Sequence, residues 1–374
     1  MSATQKKKQN NKMALFSYFK KLDWTLIVPA IVLTLFGLGA IYSASLAKGD
    51  FGNFEKQIVF FVIGFLVMVG ISFLDYRMLR NNSRLILILY FICLVLLVGL
   101  YIFAPVTRGT RGWYKIWFLS FDPIEPTKIV LIILLAKYFS MRHVEMYKIR
   151  HIIFSGLYVL LPAILVFLKP DIGGTAVLVL AWLGILLVSG IKLRHFLILF
   201  LCFLLVAAFS WTFMFKDYQK QRITSFLFPY DYLGASWSQN QTKISIGSGQ
   251  IFGQGLGKGS QVQYGFLPEP HTDFVFSGIA EEWGMAGVLV LFVAYGFLLW
   301  RVLKIAIESR FNFPRIFATG FAIILIVQFF INIGMNVSLL PVVGIYLPFI
   351  SYGGSGLVGN FIFLGVLQSI KLRR

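Results

Sequence analysis

The chain has 374 residues, of which 58% are hydrophobic and 13% charged, and its mean hydropathy is +0.80. This composition excludes an ordinary soluble domain, in which about half of the residues are apolar and about a quarter charged. The net charge of +19 fits nucleic-acid binding, but a basic excess also orients membrane proteins, so the positions of the charges must decide. Cys93 and Cys202 lie in apolar runs, and they indicate neither a disulfide framework nor a metal pair.

The chain opens with a polar and basic segment. Residues 1–12 are predicted to form a disordered tail. Residues 13–22 have the pattern of a short helix on the membrane surface, although a plain continuation of the tail is equally consistent. The apolar run that follows is too long for a signal-peptide core, so it predicts a retained signal anchor. Residues 1–23 are therefore assigned to a cytoplasmic tail and residues 24–374 to a single transmembrane domain.

Crossing a bilayer as a helix takes about 20 apolar residues. The sequence contains ten such candidates, which predict an all-α polytopic membrane protein with both termini on one side. The predicted spans are residues 24–45, 57–74, 84–104, 126–140, 152–168, 172–191, 195–215, 274–300, 314–336 and 348–370.

The distribution of charge fixes the orientation. With a cytoplasmic N-terminus, the tail, the inner loops and the C-terminus hold 22 of the 34 Lys and Arg residues and only four of the 15 acidic residues. This is the positive-inside pattern, so both termini are predicted to be cytoplasmic, and nucleic-acid binding is excluded as the reason for the basic excess.

A long outer loop, residues 216–273, is rich in glycine. Its GQGLGKGS run at 253–260 lacks the spacing and the preceding strand of a nucleotide phosphate loop. Backbone N–H groups together with Lys258 are nevertheless suited to cradle a lipid pyrophosphate, and a flexible spacer is the alternative.

Charged and polar residues cluster at the outer ends of the spans. Asp273 directly precedes the eighth span, a position where a carboxylate is usually functional. Glu125 and Lys128 share a helix face, either as site residues or as a simple pair with an outward-reaching lysine. Asp171 is either a helix cap or a site residue. The further candidates on the outer face are Glu269, His271, Arg111, Arg222 and Ser351, the last in a stretch of small residues that close helix packing also explains.

The motifs FLPEPHTDFVFSGIAEEWG at 266–284, KPDIGGTA at 169–176 and LPFISYGGSG at 347–356 resemble the SEDS family of cell-shape, division and sporulation proteins. The resemblance covers residues 20–370, and the loop motifs are more similar to the elongation member than to the division member. Two positions depart from the family pattern, Ile124 where serine is frequent and Gly112 where arginine is frequent, with Arg111 one place earlier.

The resemblance implies a peptidoglycan glycosyltransferase in the bacterial cytoplasmic membrane that polymerises lipid II onto a polyprenyl-linked nascent glycan. It implies a class B penicillin-binding protein as partner and Asp273 as the catalytic base, with inversion at the anomeric carbon. It also implies substrate roles for Glu125, Lys128, Asp171 and Arg222. The sequence requires no cofactor, although a divalent cation would suit a pyrophosphate leaving group. The alternatives are a flippase for the lipid-linked precursor and a non-catalytic scaffold for the penicillin-binding protein.

Overall fold

The structure, a computed structural model, describes residues 21–105, 112–116, 119–141, 149–228 and 236–373. The basic tail, most of the expected surface helix at 13–22 and Arg111 therefore lie outside the described residues.

The described residues form an all-α bundle with one small hairpin. Ten of its helices have 17 residues or more, and eight of these are long and apolar enough to cross a membrane. The ten are α1 (Trp24–Lys48), α2 (Gly52–Phe73), α4 (Ser83–Phe103), α5 (Ile124–Ser140), α6 (Ile149–Leu168), α7 (Ile172–Val188), α8 (Leu193–Phe213), α12 (Val275–Glu308), α13 (Asn312–Asn336) and α14 (Gly354–Leu372). The shorter elements are α3 (Arg77–Asn81), the antiparallel strands β1 (Tyr114–Ile116) and β2 (Leu119–Phe121), α9 (Asp217–Leu227), α10 (Trp237–Ser248) and α11 (Ser260–Gln263).

All ten predicted spans coincide with helices, but three boundaries were misplaced by five residues or more. Helix α2 begins at Gly52 rather than at 57. Helix α14 begins at Gly354 rather than at 348, because residues 341–353 form turns and extended backbone that are as apolar as a helix. Helix α12 continues to Glu308, eight residues beyond the predicted end of its span. The outer loop also has ordered structure of its own, since it contains α9, α10 and α11.

The bundle is built around α12, α13 and α14. Helix α12 packs on α1 and α13, helix α13 packs on α5 and α7, and α14 packs along α2. Buried apolar side chains from these helices form one continuous core. The core thereby fixes the outer ends of α5, α12 and α13 relative to one another.

One end of the bundle gathers both ends of the described chain. Gln368 on α14 accepts a hydrogen bond from the Asp23 N–H at 2.9 Å and donates one to the Asp23 carbonyl at 3.0 Å. The guanidinium of Arg301 on α12 donates to the Asp23 carboxylate. Arg373 donates to the carbonyl of Ser72, at the end of α2. These contacts place both ends of the described chain on the same side, as the sequence predicts.

Helix α12 is interrupted at Gly284, whose φ of 63° and ψ of −165° are not helical. The glycine-rich part of the outer loop fills the interruption. Gln254 and Gly255 donate to the carbonyls of Glu281 and Glu282 at 3.0 and 2.9 Å. In return, the N–H groups of Met285 and Ala286 donate to the carbonyls of residues 250 and 251 at 2.9 and 3.0 Å. A break in a membrane helix is tolerated where neighbouring groups satisfy the freed backbone, and this loop does so.

Candidate active site

Asp273 lies at the outer start of α12, directly before Phe274, which is the N-cap residue of that helix. Its main-chain carbonyl accepts hydrogen bonds from the side-chain amides of Asn332 and Asn336, at 3.1 and 3.0 Å. Its side chain is partly exposed. One carboxylate oxygen lies 3.7 Å from the position that a Cβ on Gly344 would occupy. The carboxylate is therefore held on a fixed main chain at the outer end of the bundle.

The loop before α14 is fastened to the segment that carries Asp273. The N–H of Tyr352 donates to the His271 carbonyl at 2.7 Å. The Ser351 hydroxyl donates to the Thr272 carbonyl at 2.7 Å and accepts from the N–H of Leu347 at 2.9 Å. Ser351 is buried and its hydroxyl is bonded within the protein, as the close-packing alternative for this stretch allows. Its role is to hold the two loops together.

His271 and Glu269 both lie on the turn that leads into Asp273. The His271 side chain is buried, and burial, aided by the nearby positive charge of Lys48, lowers its pKa. Glu269 has a φ of 44°, a left-handed conformation that is rare for a residue with a side chain. Such backbone is retained where the surroundings enforce it, often at functional sites.

Lys128, Glu125 and Tyr346 form a polar cluster at the outer end of α5, in which Lys128 and Glu125 are buried and Tyr346 is partly buried. The Lys128 ammonium lies 2.8 Å from the Glu125 carboxylate, so the predicted helical pair is confirmed. Lys128 also donates to the Tyr346 hydroxyl at 3.1 Å, and that hydroxyl donates to Glu125 at 2.8 Å. Lys128 is only 4% exposed. The outward-reaching lysine that the sequence left open is therefore excluded.

An apolar groove opens beside this cluster, between α2, α5 and α14. Its volume is about 380 Å³, and it reaches Glu125 but not Asp273. Phe60 and Ile63 from α2, Ile129 from α5 and Ile362 from α14 contribute apolar walls. A groove of this kind, inside a membrane bundle and ending at a buried ion pair, is suited to a lipid chain with a polar head.

A second buried cation, Lys169, begins the KPDIGGTA motif but was not predicted to be a site residue. Its ammonium lies 3.7 Å from a carboxylate oxygen of Asp122 and 3.5 Å from one of Asp171. Asp171 also caps α7 by accepting the Gly174 N–H at 2.7 Å, so the capping role is confirmed. A lysine inside an otherwise apolar stretch before a Pro-Asp turn was the signal that could have identified this group.

The glycine-rich loop uses several of its N–H groups for contacts within the protein. Gln254 and Gly255 donate to the main chain of α12, and Gly257 and Gly259 donate to the Glu282 carboxylate. Glu281 accepts from the N–H of Gln261 at 2.7 Å and from three other groups of the loop and α10. The two carboxylates thus anchor the loop. Lys258 is exposed on this loop, so its side chain keeps the predicted role.

Two other expectations concern the outer arginines and a metal ion. Arg222 lies on α9, with its side chain exposed. Within the described ranges, no group of three or more His, Cys, Asp or Glu side chains is arranged to hold a metal ion.

The bundle and its outer polar cluster define a polytopic membrane protein with a site at one membrane face. Residues 23–374 match the family model described as cell cycle protein, which covers FtsW, RodA and SpoVE. The chain belongs to this family, which confirms the resemblance seen in its motifs.

Known relatives agree over nearly the full length. The chain is 36% identical to the peptidoglycan glycosyltransferase MrdB of Escherichia coli over 357 residues, or 94% of each chain. It is also similar to a solved peptidoglycan synthase complex that coordinates polymerization and crosslinking, with a TM-score of 0.79, 30% identity and coverage of 94% of this chain and 97% of that one. The rod shape determining protein RodA of Thermus thermophilus matches with a TM-score of 0.67 and 29% identity over 94% of this chain and 96% of that one.

Proposed function

We propose that this protein is a peptidoglycan glycosyltransferase that polymerises lipid II at the outer face of the bacterial cytoplasmic membrane during cell elongation. The observation that carries the proposal is the position of Asp273 at the start of α12, across the 344–346 segment from the Lys128–Glu125–Tyr346 cluster. The relatives named as peptidoglycan glycosyltransferase MrdB and as the rod-shape protein RodA support both the activity and the elongation role.

In the proposed reaction, Asp273 takes the proton from the 4-hydroxyl of the incoming lipid II disaccharide. The oxygen attacks the anomeric carbon of the lipid-linked glycan from the face opposite the pyrophosphate, so the configuration inverts. The bond to the polyprenyl pyrophosphate breaks, and its electron pair leaves with the phosphate oxygen. A positioned carboxylate base of this kind contributes roughly 10²–10⁴-fold in rate.

The departing pyrophosphate requires positive charge more than it requires an acid. Preorganised cations in a dry site stabilise such charge effectively. Lys128 is the first candidate, because its ammonium is buried and pairs with Glu125, which lines the apolar groove. Arg222, Lys258 and Arg111 are further candidates by charge and by their place on the outer face. A divalent cation bound by the pyrophosphate would supply the same stabilisation, and activity lost on chelation and regained with Mg²⁺ would reveal it.

The groove between α2, α5 and α14 is the proposed binding site for a polyprenyl chain. Its apolar walls match an isoprenoid tail, and Glu125 marks the point where the head group would begin. The partner is proposed to be a class B penicillin-binding protein, as the similarity to a complex that couples polymerization to crosslinking suggests.

The direct test is glycan synthesis from labelled lipid II by the purified chain together with its partner. We expect Asp273→Ala to abolish polymer formation, with its thermal unfolding temperature unchanged, while Asp217→Ala, an exposed carboxylate of the same outer loop, polymerises normally. Full polymerisation by Asp273→Ala would refute the base assignment. Transport of labelled lipid II across vesicle membranes without polymerisation would favour a flippase instead. Absence of both activities would favour a non-catalytic scaffold.

A further inference from the structure

Two asparagines on α13 are fully buried inside the membrane bundle. Asn332 and Asn336 are both 0% exposed, and they lie four residues apart, so they point from the same face of the helix. Polar side chains within a membrane bundle are costly unless they are bonded, and they are therefore usually functional. Both amides are bonded, and their partners are the chain around Asp273, the Ile345 carbonyl and each other.

Asn336 replaces a missing helix cap at the start of α12. The cap position is occupied by Phe274, which has no side-chain acceptor. The Asn336 side-chain oxygen accepts instead from the N–H and the hydroxyl of Ser277, at 3.2 and 2.6 Å. Its amide nitrogen donates to the Asp273 carbonyl at 3.0 Å and to the Asn332 carbonyl at 2.8 Å. One side chain from α13 thus fixes both the first turn of α12 and the residue before it.

Asn332 links Asp273 to the opposite side of the site. Its amide nitrogen donates to the Asp273 carbonyl at 3.1 Å and to the Ile345 carbonyl at 2.7 Å. The residue after Ile345 is Tyr346, which bonds to Glu125 and Lys128. The side-chain amide of Asn332 therefore holds the main chain at Asp273 and the main chain at Ile345, next to Tyr346, at a fixed separation.

We propose that Asn332 and Asn336 are positioning residues for glycosyl transfer, which set the Asp273 carboxylate relative to the Lys128–Glu125–Tyr346 cluster. This inference rests on the function proposed above. Their amides are fully buried and bonded to the main chain, so they act through Asp273 and through the segment of Tyr346 rather than on the sugar. Because a displacement of about 1 Å in a reacting group costs on the order of 10²-fold in rate, loosening this link should be felt mainly in the chemical step.

The test compares kcat and KM for lipid II in Asn332→Leu and Asn336→Leu, each purified with the partner. We expect kcat to fall by about 10- to 100-fold, while KM changes by less than about two-fold. Asn360→Leu is the matched control, since Asn360 on α14 is also buried but its amide nitrogen has no hydrogen-bond partner among the described residues. This control should keep its parent kcat.

If the leucine variants do not fold, Asn332→Ser and Asn336→Ser, which keep a small hydrogen-bonding group, are measured in the same way. A kcat between that of the parent and that of Asp273→Ala would support the positioning role. Parental kcat in the asparagine variants, or a loss confined to KM, would overturn it. A dead Asp273→Ala beside fully active asparagine variants would refute only the positioning role, whereas an active Asp273→Ala would refute the base itself.

Discussion

At the scale of single residues, the buried charges at the outer face differ in what their mutation would reveal. The Lys128 ammonium is compensated inside the bundle by its ion pair with Glu125 and by the hydrogen bond that it donates to the Tyr346 hydroxyl. Removing one partner of a buried ion pair typically costs about 3–5 kcal/mol, because the other charge is left uncompensated. We therefore expect Glu125→Ala to lower the unfolding temperature, so a loss of activity in this variant would not by itself show contact with substrate. A changed KM, measured at varied lipid II concentration, would show it.

Asp122 gives a pH dependence whose sign can be stated. Burial raises the pKa of Asp122 from 3.8 to about 6, and the Lys169 ammonium opposes that rise. The folded chain therefore binds this proton more tightly than the unfolded chain does, so the contribution to stability is present below pH 3.8 and is lost as the pH rises through about 6. We expect the unfolding temperature of the parent, minus that of Asp122→Asn, to fall between about pH 4 and about pH 7.

The control for this pH effect is Asp217→Asn, which neutralises an exposed carboxylate at the start of α9. Its difference from the parent should change less over the same range. A difference for Asp122→Asn that grows with pH would mean that the ion pair with Lys169 outweighs the cost of burying the charge.

At the scale of elements, the unusual unit is the pairing of an interrupted helix with a glycine-rich loop. A Cβ on Gly253 would overlap the main chain of Glu282, and its φ of 78° also disfavours any other residue. Glycine is required at this position both for its conformation and for the close approach of two backbones. The loop is therefore part of the helix packing rather than a spacer between spans.

Gly253→Ala should test this directly. We expect a loss of about 2 kcal/mol or more, measured as a lower unfolding temperature in detergent, because the new methyl group cannot be accommodated without separating the loop from α12. Gly247→Ala is the matched control, since Gly247 lies in α10 with open space around it and alanine favours a helix by up to about 1 kcal/mol. Equal unfolding temperatures for the two variants would contradict the tight docking of the loop.

The long helices could be predicted from the sequence, whereas the loop before α14 and the contacts of the α12 carboxylates could not. Long apolar runs predicted ten helices, eight of which are long and apolar enough to cross a membrane, since hydrophobicity is the main sequence signal of a spanning helix. The 347–353 loop is equally apolar, and hydropathy cannot separate a helix from a turn that Gln57 holds by hydrogen bonds to Ser351 and Gly353. The anchoring role of Glu281 and Glu282 was not predicted, because their partners lie in a loop whose docking no local sequence pattern reveals.

At the scale of the whole molecule, the two faces of the bundle have different chemistry. One face gathers the Asp23–Arg301 pair, Gln368 and Arg373, which tie the ends of the chain together. The other carries Asp273, the Lys128 cluster and the outer loop. The positive-inside distribution assigns the first face to the cytoplasm, and lipid II polymerisation requires the second to be outside.

This orientation can be tested with single cysteines in a chain whose Cys93 and Cys202 have been replaced by serine. In intact cells, a membrane-impermeant maleimide should label Tyr264→Cys, whose position is exposed in the outer loop, but not Asn81→Cys, which is exposed at the end of α3. Asn81→Cys should react only after the membrane is opened. Labelling in the reverse order would invert the topology and remove the site from the outer face.

The interruption in α12 has a consequence for how the protein is made. The outer loop satisfies the four displaced backbone bonds of α12 and, together with Ser43 of α1, bonds its two buried carboxylates, so α12 is fully bonded only when the loop is in place. The loop precedes α12 in the chain, and N-terminal parts generally fold first during synthesis. The loop is therefore exported before α12 enters the bilayer. Because the chain is made from its N-terminus, the loop that α12 needs as a partner is present before the helix itself.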